Sequence, residues 1–144
     1  MKKLFFIGLA TLAVSSATLT SCGKYEEGPS LALSSKTARL TGSWKLTAQT
    51  TNGVADALTG LDQTMVIYKD GTYSTAINYS YLGFNYTNNY AGTWAFSDDK
   101  TQIITTVNGL TGSDAATIVR LAGKELKLKT VDGTETVVQT FTAQ

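Results

Sequence analysis

The residues able to carry chemistry in this sequence are few. There is one thiol, Cys22, a scatter of carboxylates and tyrosines, and no histidine. Losing histidine removes the commonest general base and metal ligand. A Ser-His-Asp triad and any His-containing zinc site are thereby excluded. Ser21-Cys22-Gly23-Lys24 spells S-x-x-K, but a cleavage before Cys22 would separate the serine from the lysine. Asp98-Asp99 before Lys100 reads as turn chemistry rather than a catalytic dyad, and Asp62 and Asp114 stand alone near strand starts. Neither the aspartate run of an EF-hand nor a G-x-x-x-x-G-K-[ST] phosphate loop is present. The expectation is a non-enzyme with no metal and no cofactor.

What precedes Cys22 explains that cysteine better than catalysis does. Met1-Lys2-Lys3 is a short positive region, Leu4 to Val14 an apolar run, and Ser15-Ser16-Ala17-Thr18 a set of small residues. Charge, apolar run and small residues in that order mark an export signal. A spanning helix needs about 20 predominantly apolar residues, more than this run supplies. Leu19-Thr20-Ser21-Cys22 resembles the bacterial lipobox. That resemblance implies diacylglycerol attached to the Cys22 sulfur, cleavage before Cys22 and acylation of the new amino terminus. Two or three acyl chains anchor durably where one does not, so the membrane is the expected partner through lipid on Cys22.

Residues 1–21 therefore read as a lipoprotein signal peptide. Residues 22–33 follow as a tether, because Gly23-Lys24-Tyr25-Glu26-Glu27-Gly28-Pro29 is polar, charged and holds the only proline. A lysine followed by acids just after the cysteine also resembles the surface-export signal of Bacteroidota lipoproteins, with Tyr25 intervening. The implied address is the cell envelope, at the outer membrane, with the periplasmic or surface face open. Loss of Lys2 and Lys3 takes the formal charge from +1 to about −1. Lys124, Lys127 and Lys129 alternate with other residues instead of forming a basic face, so nucleic acid is not an expected partner.

Residues 34–144 are long enough for one modest core. Ser34 to Leu40 suits one short helical turn with a serine cap. Beyond it Thr, Val, Tyr and Ile dominate, and turn signals recur roughly every dozen residues, a pattern of sandwiches and barrels. Eight strands are predicted, at 43–50, 63–69, 72–79, 89–97, 101–107, 117–121 (with a start at Asp114 open), 124–130 and 134–142. Asn52-Gly53, Asp70-Gly71, Asn108-Gly109 and Asp132-Gly133 punctuate them, and short turns imply antiparallel neighbours. Leu126 and Leu128 oppose Glu125, Lys127 and Lys129; Trp44, Leu46 and Ala48 oppose Lys45, Thr47 and Gln49. One dry face per strand predicts an all-β, eight-stranded, up-and-down antiparallel barrel, with a two-sheet β-sandwich as the alternative.

Gly42-Ser43-Trp44 after a short helical turn resembles the G-x-W that opens the first strand of lipocalins. In that family the Trp closes the barrel floor and an Arg from near the last strand packs over it. Only Arg39 and Arg120 are available here, neither in the last predicted strand, so the partner of Trp44 is left open. The lipobox, K-Y-E-E-G-P, S-K-T-A-R-L and G-S-W-K-L together are similar to the lipocalin-like lipoproteins of Bacteroidota. That resemblance implies a fold and an address but no chemistry.

Two regions are candidate binding sites. A barrel interior bounded by Trp44, Met65, Ile77 and Trp94 would hold a small apolar or amphipathic ligand. The stretch Tyr79, Tyr81, Phe84, Tyr86, Tyr90 is the other, with Asn78, Asn85, Asn88 and Asn89 interleaved. Tyr pairs apolar area with a polar tip, which suits a glycan or a surface partner. The same tyrosines also suit cross-strand pairs holding a long ribbon together.

Overall fold

The computed structural model describes Tyr25 and residues 34–144. Cys22, the signal peptide and the rest of the tether lie outside the described residues. Helix α1 (Lys36–Leu40) is capped by Ser35, whose hydroxyl accepts from the Ala38 amide at 3.1 Å. Nine strands follow: β1 (Gly42–Thr51), β2 (Val54–Ala55), β3 (Leu61–Ile67), β4 (Thr72–Tyr81), β5 (Phe84–Phe96), β6 (Gln102–Val107), β7 (Asp114–Ala122), β8 (Glu125–Asp132) and β9 (Glu135–Ala143).

Each of β3 to β9 pairs antiparallel with the strand before it in the wall, and β1 pairs with both β3 and β9. That last pairing closes an eight-stranded barrel and rules out the open sandwich. β2 is an extra strand on the upper end of β1, where Thr50 and Thr51 meet Ala55 and Val54. It is two residues long, too short for periodicity to reveal.

Two bulges re-phase the alternation. In β1 the register shifts between Leu46 and Ala48. Leu46 points inward, and Gln49, opposite Gln139, is the next inner residue. The expected inward Ala48 is therefore exposed and Gln49 half-buried, because one extra residue swaps the faces beyond it. A second shift lies between Ile118 and Arg120 in β7.

The closed end of the barrel is packed solid. Trp44, 2% exposed, lies with Leu40, Ile118, Leu121, Leu126 and Phe141. The Trp44 indole N–H donates to the Leu40 carbonyl at 2.8 Å, and Arg39 donates to the Leu121 carbonyl at 2.6 Å. The Arg that braces the floor thus comes from α1, not from the last strand. Tyr25 joins the same cluster at 6% exposure, its hydroxyl donating to the Lys100 carbonyl at 3.1 Å and its ring under the Lys36 ammonium at 4.7 Å. The residues flanking Tyr25 are polar, which is why the sequence places it in a solvated tether; its ring instead docks on the floor.

Candidate functional site

Above the floor the inner row changes character. A cavity of about 200 Å3 opens over it. Its apolar lining comes from Met65 and Ile67 on β3, Tyr73 on β4, Trp94 on β5, Ile103 on β6 and Phe141 on β9. Polar groups are placed among these: Gln63, Thr75, Thr105, Asp114, Thr130 and Gln139. A mostly apolar hollow with a few fixed polar groups is the usual form of a small-molecule site, though such sites commonly run from roughly 300 to 1,000 Å3. This cup therefore has room for a small molecule, or for one end of a longer one.

Tyr73 holds a central place in the lining. Its ring covers Gly92, the residue directly opposite on β5, where an added Cβ would stand 3.0 Å from Tyr73 Cε1 and 1.9 Å from the Thr106 carbonyl oxygen. Burial, above all, pushes the Tyr73 phenol up; Asp114 pushes the same way, and the hydrogen bond with Thr105 opposes them. The hydroxyl consequently stays protonated. Trp94 is fixed by its indole N–H to the Tyr68 carbonyl at 2.8 Å and by edge contact with Phe96, centroids 5.4 Å apart.

At the upper inner wall the amides form a chain. Gln139 donates to Gln49 at 2.9 Å, and Gln49 donates to Asp56 at 2.8 Å. Thr51 donates to the same Asp56 oxygen at 2.7 Å. These two hydrogen bonds, Gln49 first, hold the Asp56 carboxyl below its usual range.

Of the residues singled out from sequence, Met65 and Trp94 line the cavity. Trp44 lies beneath it, spent on the floor. Ile77, half-buried opposite Asn88, continues the inner row above Thr75 without joining the lining. Tyr79, Tyr81, Phe84, Tyr86 and Tyr90 lie on a ribbon of β4 and β5, in which β4 stays paired with β3 as far as Tyr79 while β5 before Gly92 runs past the end of β6. The Tyr79–Tyr90 stretch is this ribbon, closed by Leu82-Gly83, both at positive φ (51° and 81°), the geometry of a two-residue hairpin turn.

Strand register shows what the ribbon presents. Tyr79 faces Tyr86, with rings stacked 5.0 Å apart, and Tyr81 faces Phe84. By alternation these share a face with Ile77 and Tyr90 and, further down, with Tyr73 and Trp94. An aromatic stripe thus runs from the cup wall to the tip. Asn78, Asn85 and Asn89 point to the opposite face, where Thr87 donates to Asn78 at 2.8 Å and Ser80 bonds Asn85. Only Asn88 shares the aromatic face, between Tyr86 and Tyr90, so the interleaving seen in sequence sets one amide, not four, beside the rings.

Asp114, Gln63 and Gln139 escape a reading from sequence. No motif marks them, and only the closed wall brings β3, β4, β7 and β9 around one space. Among the described residues, no three His, Cys, Asp or Glu side chains cluster as metal ligands would.

The sequence profile of the family described as Lipocalin-like domain matches residues 40–128, more than half of the chain. The protein belongs to the lipocalin-like domain family. Its match begins at the residue whose carbonyl holds Trp44 and takes in the strands of the floor and most of the cup. Among solved structures, japanin from Rhipicephalus appendiculatus bound to cholesterol superposes on this lipocalin-like barrel with a TM-score of 0.52 at 10% identity, over 76% of this chain and 79% of that one. A bovine odorant binding protein in complex with undecanal reaches a TM-score of 0.48 at 14% identity, over 79% and 76% of the two chains. Among curated proteins no sequence match is found.

Proposed function

We propose that this protein is a non-catalytic carrier that takes a small apolar or amphipathic molecule into the cup above Trp44. The observation that carries the reading is the change along the inner row from close packing to a hollow of about 200 Å3 lined by Met65, Ile67, Tyr73 and Trp94. Family membership supports it, as does the cholesterol in japanin, a barrel of the same fold. Lining residues offer no paired acid and base and no nucleophile beside a base, which favours binding over turnover.

Calorimetric titration with 1-octanol tests the cup directly. Ala116, on the inner face of β7, lines the hollow, and Ala116→Phe fills it. Binding to the unmodified chain and at least tenfold weaker binding to Ala116→Phe are expected, with the fold retained by circular dichroism. Equal binding by the two would end the reading.

We further propose that lipid on Cys22 holds the protein to the outer membrane, on the strength of the lipobox. Three residues of chain reach at most about 11 Å, and Tyr25 is docked beneath the floor. An anchor at Cys22 would thus hold the closed end to the bilayer and turn the cup and ribbon away from it. Labelled palmitate incorporated by the natural chain and absent from Cys22→Ala is the expected result; unlabelled natural protein would remove the anchor.

The exposed stripe supports a second reading, a surface interaction module. Phe84 and Leu82 at the tip are 68% and 80% exposed, and contiguous exposed apolar surface marks interaction sites. With Asn78 and Asn85 turned away, the ribbon favours a flat apolar partner over a glycan. Glycan-array binding lost in Tyr81→Ala and Tyr86→Ala would reverse that preference.

A further inference from the structure

Cations are sorted along the barrel axis, although the closed-end turns also hold Asp70, Asp98 and Asp99. Lys36, Arg39, Lys69, Lys100 and Lys124 all belong to α1 or to the turns of the closed end. The open-end segments 52–60, 82–83, 108–113 and 132–135 contain no Lys or Arg, but hold Asp56, Asp132 and Glu135. Asp114, the first residue of β7, follows the third of these segments and, among the described residues, is the only charged one in the cavity lining, exposed at its mouth. Cations on the neighbouring walls point elsewhere. Lys127 and Lys129 alternate with the inward Leu126, Leu128 and Thr130; Lys45 pairs with Asp62 at 3.1 Å, and Arg120 with Glu125 at 2.8 Å.

We propose that the cup selects apolar molecules bearing a cationic nitrogen, which meets Asp114 at the mouth, and rejects those ending in a carboxylate. This rests on the carrier reading above and gives it a ligand class. A mouth of one sign with low-dielectric walls concentrates ligands of the opposite sign. A carboxylate entering the same space would meet Asp114 and find no cation in the lining, and an unpaired charge in a largely apolar site is costly. The Tyr73 hydroxyl, already bonded to Thr105 beside Asp114, is a single neutral donor and does not replace a counter-ion.

Octylamine, 1-octanol and octanoate share one chain length and differ in end-group charge at neutral pH, so they separate charge selection from apolar binding. Titration calorimetry uses the full chain carrying Cys22→Ala, which lacks the acylated sulfur, and the same chain with Asp114→Asn added. Octylamine should bind about tenfold more tightly than 1-octanol, and octanoate about tenfold more weakly, differences ordinary for one nearby charge at an intermediate dielectric. Asp114→Asn should bring all three within about threefold of one another. Ala116→Phe should abolish octylamine binding along with that of the alcohol. Octanoate binding as tightly as octylamine would overturn the selection and leave the carrier reading intact. A preference for the amine that survives Asp114→Asn, or octylamine binding that survives Ala116→Phe, would also overturn it. If 1-octanol fails to bind as well, the carrier reading falls too.

Discussion

At the closed end of the barrel Trp44, Leu126 and Phe141 fill the space between the walls, whereas a few residues higher the inner row presents Gln63, Thr105, Thr130 and Gln139 to a hollow. Both ends share strands, pairing and twist. They differ in side-chain volume and polarity on the inner row, which shows that the fold is held at one end and leaves a hollow at the other. Substitutions should therefore fall into two classes: floor changes cost stability, and mouth changes alter recognition.

Trp44→Ala tests the floor with the largest expected effect. A buried Trp truncated to Ala typically costs about 3–5 kcal/mol. Here it also removes the indole donor to Leu40, so α1 should loosen with it. Denaturant unfolding should show a lower midpoint with little change in slope. A loss under 1 kcal/mol would mean that the two ends do not differ as described.

Gly92→Ala comes next and probes the boundary between them. Its new Cβ would meet the Thr106 carbonyl oxygen at 1.9 Å, so β5 or β6 must shift, and the Tyr73 ring must yield as well. Overpacking of this kind costs about 1–3 kcal/mol. Unlike Trp44→Ala, it should weaken 1-octanol binding even where the protein remains folded, because Tyr73 lines the cup. Unchanged melting and unchanged binding together would show that the wall adapts freely.

How much of this was legible in the sequence depends on the range of the interactions involved. Leu126 and Leu128 against Lys127 and Lys129 reveal the wall of β8, because strand alternation is a local signal. Gly42-Ser43-Trp44 marks the floor because a short helix and a first strand meet there. The bulge at Thr47, by contrast, leaves no local trace and turns Gln49 inward through pairing with a strand some 90 residues away. Asp114 reads as an isolated acid until β7 pairs with β6 and the closed wall sets it at the rim of the cup, and Tyr25 reads as tether until the floor it covers exists. The aromatic stretch was visible as composition, but which rings share a face with which amides depended on the ribbon continuing to Leu82-Gly83.

On the ribbon, Tyr86→Ala should cost about 1 kcal/mol or less, the usual scale for one exposed cross-strand aromatic pair. A double-mutant cycle with Tyr79→Ala isolates the stacked pair from each ring's contact with solvent. Stability should barely register the change, since both rings are largely exposed and β5 at Tyr86 has no strand on its far side. A cost comparable to that of Trp44→Ala would make the ribbon part of the core instead of a projection from it.

The smallest effect belongs to Asp56, and it is local and pH-dependent. Gln49 and Thr51 donate to its carboxylate and lower its pKa from the ordinary 3.8. A group with a depressed folded-state pKa contributes stability that is present above its unfolded value and is lost as pH falls through the folded one. Acidification to below about pH 4 should therefore release the upper wall while the floor, whose fully buried side chains carry no carboxylate, stays closed. The Asp56 amide, bonded to the Gln49 carbonyl at 2.9 Å, reports this through its hydrogen-exchange protection factor, which should fall with pH while that of the Trp44 strand does not. Asp56→Asn keeps the shape but not the charge and should flatten the dependence. If protection at Asp56 follows that of the floor at every pH, the two ends open as a single unit, and the division between a packed base and a separately adjustable mouth does not hold.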